Sequence, residues 1–290
     1  HIGTSARQVN PRSLGTQNNN WSNQTSAPRG GFDAEIVELS NLRGDIQSRT
    51  IFKPDNGSSV PDLKLHWDAD RVMFSMIDTD KRWQVFEVGL DGKGLKKLIE
   101  SPEKDLEFFD ATWLPSGKII AVSNIGYNGV PCVNGNDEVG NMVLYNPEDR
   151  SLRRLTFDQD ANWSPVIMHN GKVMYTRWEY TDLTHYFSRF VMHMNPDGTE
   201  QKALYGSGSY FPNSTFDAKP IPGQASGFVR TPWRCPFRPS DPVRSLQRPQ
   251  VGTGNGAGTA IPRPQDRTDR ERPAGGWCLA SVYQALSVER

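Results

Sequence analysis

Asp110-Ala-Thr-Trp113-Leu-Pro115-Ser-Gly117-Lys-Ile-Ile-Ala-Val recurs as Asp160-Ala-Asn-Trp163-Ser-Pro165 followed by Asn170-Gly171-Lys-Val-Met-Tyr-Thr, and in weaker form as Leu65-His-Trp67-Asp-Ala-Asp-Arg-Val-Met-Phe-Ser. Each copy reads as a turn that feeds a strand of β-branched and apolar residues. A second half-repeat follows each one. Trp83-Gln-Val-Phe-Glu-Val runs into Asp91-Gly92, Asn141-Met-Val-Leu-Tyr into Asn146-Pro147, and Phe190-Val-Met-His-Met into Asn195-Pro196-Asp197-Gly198. Asp-Gly and Asn-Pro-Asp-Gly supply the positive or preset φ of tight turns, so these are hairpins. Two hairpins make a four-stranded unit that returns about every 50 residues, the period of propeller blades and not of helical solenoids.

Phe32-Asp-Ala-Glu-Ile-Val-Glu-Leu with Arg49-Thr-Ile-Phe52 reads as the outer hairpin of a still earlier blade. The expected fold is therefore all-β, a partial propeller of about four blades with irregular segments at both ends. A closed ring of six or seven blades needs more chain. An open arc presents unpaired strand edges, through which self-association is expected.

Composition sets further bounds. The 33 basic and 33 acidic residues cancel to a formal charge of zero and alternate through the repeats, so no basic face for nucleic acid is expected. No apolar run approaches the length of a membrane span. Residues 1–31 are rich in Asn, Gln, Ser and Thr and read as irregular, with Trp21 able to dock on the blades. Residues 32–229 carry the repeats. From Arg230 to Arg290 the basic residues are arginine alone, and Pro, Gly and Gln replace the strand pattern. That tail reads either as a disordered linker or as the product of a shifted reading frame, with Ala280-Ser-Val-Tyr-Gln-Ala-Leu able to form only a short helix.

Chemistry-bearing residues concentrate in Arg177-Trp178-Glu179-Tyr180-Thr181-Asp182 and His185-Tyr186-Phe187-Ser188-Arg189. Rings and ionisable groups are too dense there for a solvated loop, so the segment either fills a blade junction or lines a site. In the second case Arg177, Trp178, Glu179, Tyr180, Asp182 and His185 are the binding candidates; in the first, Arg177 and Arg189 pair with the carboxylates while the rings pack beneath. Trp113 and Trp163, at equivalent repeat positions, read as core. The three cysteines, Cys132, Cys235 and Cys278, give no disulfide framework and no Cys-x-x-Cys-His, so the chain binds no haem covalently. Signatures of zinc proteases, nucleotide-binding loops and serine hydrolases are also missing from the sequence.

Gly129-Val-Pro-Cys132-Val-Asn-Gly135, Leu155-Thr-Phe-Asp158-Gln-Asp160, Arg177-Trp-Glu-Tyr-Thr-Asp182 with His185-Tyr-Phe-Ser188, and Tyr210-Phe-Pro-Asn213-Ser214 together resemble the middle, TolB-like propeller domain of the hydrazine synthase alpha subunit and its relatives. The resemblance spans about Phe32 to Val229. It implies a bacterial exported or periplasmic protein, truncated here, whose propeller serves as a scaffold or docking module for a c-type cytochrome domain or subunit and is not catalytic alone. It also implies a metal role for Cys132, whose thiolate suits zinc, with haem reached only through a missing domain or a partner. Two other readings stay open at this point. One is a redox enzyme subunit that contributes Cys132 and the Arg177–Ser188 segment to a shared zinc and haem site; the other is a propeller that binds carbohydrate or peptide at its channel mouth.

Overall fold

The structure, a computed structural model, describes residues 2–8, 25, 27–130, 138–179, 189–207, 215–224, 228–232 and 285–286. These form eighteen strands in four four-stranded antiparallel sheets and one two-stranded sheet. The chain is all-β, a partial propeller.

The first sheet contains β1 (Ile2–Gln8), β2 (Phe32–Ser40) and β3 (Gln47–Phe52), with β18 (Ala285–Leu286) added on the free edge of β1. The second contains β4 (Lys64–Leu65), β5 (Arg71–Ile77), β6 (Trp83–Gly89) and β7 (Lys96–Lys97). The third contains β8 (Phe108–Trp113), β9 (Ile119–Ser123), β10 (Asn141–Asn146) and β11 (Ser151–Arg154). The fourth contains β12 (Asn162–Ile167), β13 (Val173–Trp178), β14 (Arg189–Met194) and β15 (Lys202–Tyr205), and a fifth begins with β16 (Thr215–Pro220) and β17 (Phe228–Pro232). Among the described residues no helix is long and apolar enough to cross a membrane.

Burial explains the sequence texture of the strands. In β5 six consecutive residues are buried and in β9 all five are, because a blade is covered on both faces by its neighbours and so needs apolar side chains on both. The outermost strands face water on one side, and β11 alternates exposed and half-buried positions. The core accordingly lies between blades. Met73 and Val85 of the second pack with Ala111, Ile119 and Val143 of the third, and Ile120 and Met142 of the third with Tyr175 and Met194 of the fourth. Each such large side chain contributes roughly 1.5–3 kcal/mol on leaving water.

The turns read from sequence form as expected. Gly117 and Gly171 close the β8–β9 and β12–β13 turns at φ of 80° and 79°, donating to the carbonyls of Leu114 and Met168.

Three expectations are corrected. Ile2–Gln8, read as irregular, is a strand that pairs along its whole length with β2, whose edge would otherwise stay open. The strand pattern continues past Val229, since β17 pairs with β16 through Pro232. In the tail, read as a disordered linker or a shifted frame able to form only a short helix, Ala285 and Leu286 pair with β1 and extend the first sheet.

Candidate functional site

The blade order brings the bases of two loops singled out in the sequence to one place. The connection between β9 and β10 carries Cys132, and the connection between β13 and β14 carries Glu179 to Ser188; both join the second and third strands of their blades, so their described ends lie on the same rim. Gly129 and Glu138 bridge across the base of the first connection. Val130 and Val139, at that base, share one buried cluster with Ala161, Trp163 and Trp178, the last standing at the base of the second connection.

Trp178 ends β13, is 1% exposed, and donates its backbone N–H to the Ala161 carbonyl at 3.0 Å. Its ring stacks on Trp163 with centroids 6.5 Å apart. The Arg189 guanidinium, itself buried, lies 4.6 Å from the Trp178 ring and 5.6 Å from the Trp163 ring. A cation against two ring faces in a dry environment is favourable by about 2 kcal/mol. Arg177 points the other way. Its Nη2 is 3.0 Å from the Asp158 carboxylate and 3.1 Å from that of Glu179, and Asn162 donates to Asp158 at 3.0 Å. Arg177, Trp178 and Glu179 therefore sit together at one blade junction, where the arginine joins two loops and the tryptophan fills the core.

Tyr180, Asp182, His185 and Cys132 lie outside the described residues. Of the groups considered as zinc donors, Glu179 is the one described, and its carboxylate is held by a guanidinium. That pairing does not fit a dication at the same oxygens. A second set, His66, Asp68 and Asp70, brings its ligand atoms within 4.8 Å of one another. There, too, a cation is already present: Arg71 contacts the His66 ring at 2.6 Å and Asp70 at 2.8 Å.

A second constellation lies on the inner strands and escaped the sequence reading. Asp62, Asp110, Ser164 and Asp217 each have positive φ, between 44° and 61°, at the same point of successive blades. In β8, β12 and β16 that point is a register shift, a bulge that re-aims the side chain toward the neighbouring blades. The Asp110 backbone N–H donates to Asp62 Oδ2 at 3.2 Å and to Ser75 Oγ at 3.0 Å, while the Ser75 hydroxyl donates to Asp62 at 2.7 Å. One blade further on, the Ser164 N–H donates to Asp110 Oδ2 at 2.6 Å, and the Ser164 hydroxyl stands 3.5 Å from Asp217. The second and third blades thus each hand a carboxylate to the bulge amide of the next.

Burial pushes the Asp62 carboxyl up to about 7, with the charge of Asp110 adding to the effect. Burial raises Asp110 as well, and Lys64 opposes it. Lys219 is lowered to about 8, first by the charge of Lys64 and then by burial. Asp62 itself is half-buried.

The register also corrects the repeat. Trp113 pairs with Ile119 and Ile167 with Val173 in the matching turns, so Trp113 corresponds to Ile167, and Trp163 corresponds to Phe109. The partner of Asp110 is Ser164, 54 residues on, and not Asp160. Both tryptophans are buried, as expected of core residues, but at different positions of their blades.

No protein-family model matches the chain, and no curated relative matches it. Among solved structures, hydrazine synthase of Kuenenia stuttgartiensis superposes with a TM-score of 0.55 at 13% identity, over 75% of this chain and 33% of that one. A TolB-type protein of Agrobacterium tumefaciens gives 0.49 at 12% identity over 79% of this chain and 76% of its own, and an oligogalacturonate lyase of Vibrio parahaemolyticus 0.47 at 10% over 68% and 51%. The chain spans about a third of the hydrazine synthase chain. Likeness at such identities is likeness of architecture, and in architecture this chain is a partial β-propeller.

Proposed function

We propose that the chain is a propeller scaffold that docks a c-type cytochrome domain or subunit on the rim carrying the Cys132 loop and the Glu179–Ser188 loop, and that it holds no complete reaction centre of its own. The observation that carries this reading is the shared cluster of Val130, Val139, Trp163 and Trp178, which fixes the bases of both loops to one rigid floor. Polar side chains next to that floor are spent on holding loops together: Arg177 neutralises both Asp158 and Glu179. A loop pair anchored in this way suits recognition, which needs a preorganised surface more than a mobile base or nucleophile. The pairing of Glu179 with Arg177 weighs against the reading in which this carboxylate helps hold zinc in a shared redox site. Export to the bacterial periplasm belongs to the same proposal, by the resemblance to exported propeller proteins.

The test is a calorimetric titration of the chain with a purified c-type haem domain from a hydrazine synthase-like protein. A saturable one-to-one complex with micromolar or tighter affinity, weakened by charge reversal at Glu179, is the expected result. No heat and no complex at about 0.1 mM, well above the range of specific protein complexes, would overturn it.

A further inference from the structure

We infer that Thr25 and Ala27–Arg29 are an internal stand-in for a ligand, seated in a peptide site on the second and third blades that takes an arginine and a small apolar residue two positions before it. The segment belongs to the connection between β1 and β2 of the first blade, yet it makes its contacts far along the chain. Ala27 packs on a floor of Ile77, Trp83, Phe109 and Val122, drawn from β5, β6, β8 and β9. Arg29 Nη1 is 2.5 Å from Glu107 Oε1, and Nη2 donates to the Thr25 carbonyl at 3.0 Å, which curls the segment on itself. The Thr25 hydroxyl accepts from the Glu138 N–H at 3.4 Å, at the base of the Cys132 loop.

The receiving side is built more fully than the segment uses. Glu107 is 5% exposed, its backbone N–H is fixed by Asn124 Oδ1 at 2.9 Å, and its Oε1 also faces the Trp83 N–H at 3.4 Å. Its second oxygen, Oε2, and the indole Nε1 of the fully buried Trp83 have no hydrogen-bond partner among the described residues. A guanidinium can engage both oxygens of a carboxylate, and Arg29 engages one. An indole N–H in an apolar wall seeks a carbonyl. The site therefore offers a buried carboxylate acceptor and an aromatic-lined apolar floor, the complement of a peptide with an arginine and a small apolar side chain. A buried carboxylate without its cation is costly, and burial already pushes Glu107 upward while Arg29 holds it down. Displacement of the segment thus requires an incoming cation of the same kind, which gives the site its specificity.

The probe is a fluorescent peptide with the sequence of residues 25–31, titrated into the full chain by anisotropy. Arg29→Ala, which empties the carboxylate without touching the floor, is expected to bind it at least about tenfold more tightly than the wild-type chain, where the tethered segment competes at a millimolar effective concentration. Adding Glu107→Gln to that variant should abolish binding, as should replacing the arginine of the peptide by alanine. The wild-type chain gives a second readout that needs no variant: excess unlabelled peptide should speed amide hydrogen exchange across residues 27–31. Equal affinity for wild type and Arg29→Ala, binding that survives Glu107→Gln, or exchange unchanged by saturating peptide would each overturn the inference.

Discussion

The rim and the axis of this propeller both hold ionisable groups inside a β-protein, and they stabilise them in opposite ways. At the rim each cation meets an attractive partner: Arg177 lies between Asp158 and Glu179, and Arg189 lies against two tryptophan rings. At the axis like charges face one another. Asp62, Asp110 and Asp217 converge, and backbone amides, two serine hydroxyls and the lysines Lys64 and Lys219 are set against them. Among the described residues the rim arrangement occurs at one blade junction, whereas the axis repeats from blade to blade. A feature that repeats with the fold serves the fold, and one confined to a single junction is free to serve a partner.

That contrast breaks first at the rim. Trp178→Ala removes a fully buried indole from beneath both loops and should cost about 3–5 kcal/mol in chemical denaturation. Because Val130 and Val139 share its cluster, the loss should also speed proteolysis within the Cys132 loop. A variant within about 1 kcal/mol of wild type would mean that the rim floor can collapse around the cavity, and the docking proposal would lose its rigid base.

At the axis the comparable cut is Asp110→Ala. It strands the Ser164 amide, removes one link of the blade-to-blade chain, and places alanine at a φ of 44°. The expected loss is about 2–4 kcal/mol, split between the unsatisfied donor and the strained backbone. Asp110→Asn, whose carbonyl can still accept that N–H and whose backbone tolerates positive φ, should recover most of it. If the two variants behave alike, the charge and not the hydrogen bond is what the axis needs.

How far these regions could be read in the sequence follows from the kind of signal each leaves. The hairpins were legible because Gly117, Gly171 and Gly198 announce positive φ by residue type. The rim was legible because rings and charges crowd into Arg177–Arg189, although sequence alone could not say that Arg177 takes Asp158 and Glu179 while Trp178 turns inward. The axis was not legible. Its positive φ falls on Asp62, Asp110, Ser164 and Asp217, which carry no glycine to mark them, and the bulge appears only when strands are paired. Asp160-Ala-Asn-Trp163 imitates Asp110-Ala-Thr-Trp113 four residues out of register and drew the alignment to the wrong aspartate. The strand Ile2–Gln8 was hidden because Gly3-Thr4-Ser5-Ala6-Arg7-Gln8 carries no apolar alternation, although its backbone pairs with β2 and Ile2 joins the core.

The smallest expected effect is the one that separates the two electrostatic designs most cleanly, because it depends on pH. Asp62 has a folded pKa raised from 3.8 to about 7, so between those values the folded chain binds more proton than the unfolded one, and its contribution to stability falls as pH rises through that window. Asp62→Asn keeps an oxygen able to accept from Asp110 N–H and from the Ser75 hydroxyl, tolerates the φ of 61°, and never ionises. It should match wild type near pH 4 and exceed it above pH 7, by on the order of 1 kcal/mol, because Asp62 is only half-buried and water screens most of the penalty. Denaturation midpoints measured across pH 4 to 8 would show the two curves diverging upward. Parallel curves would mean that Lys64 and Lys219 neutralise the axis as fully as Arg177 neutralises the rim, and the difference between the two regions would then be one of geometry alone.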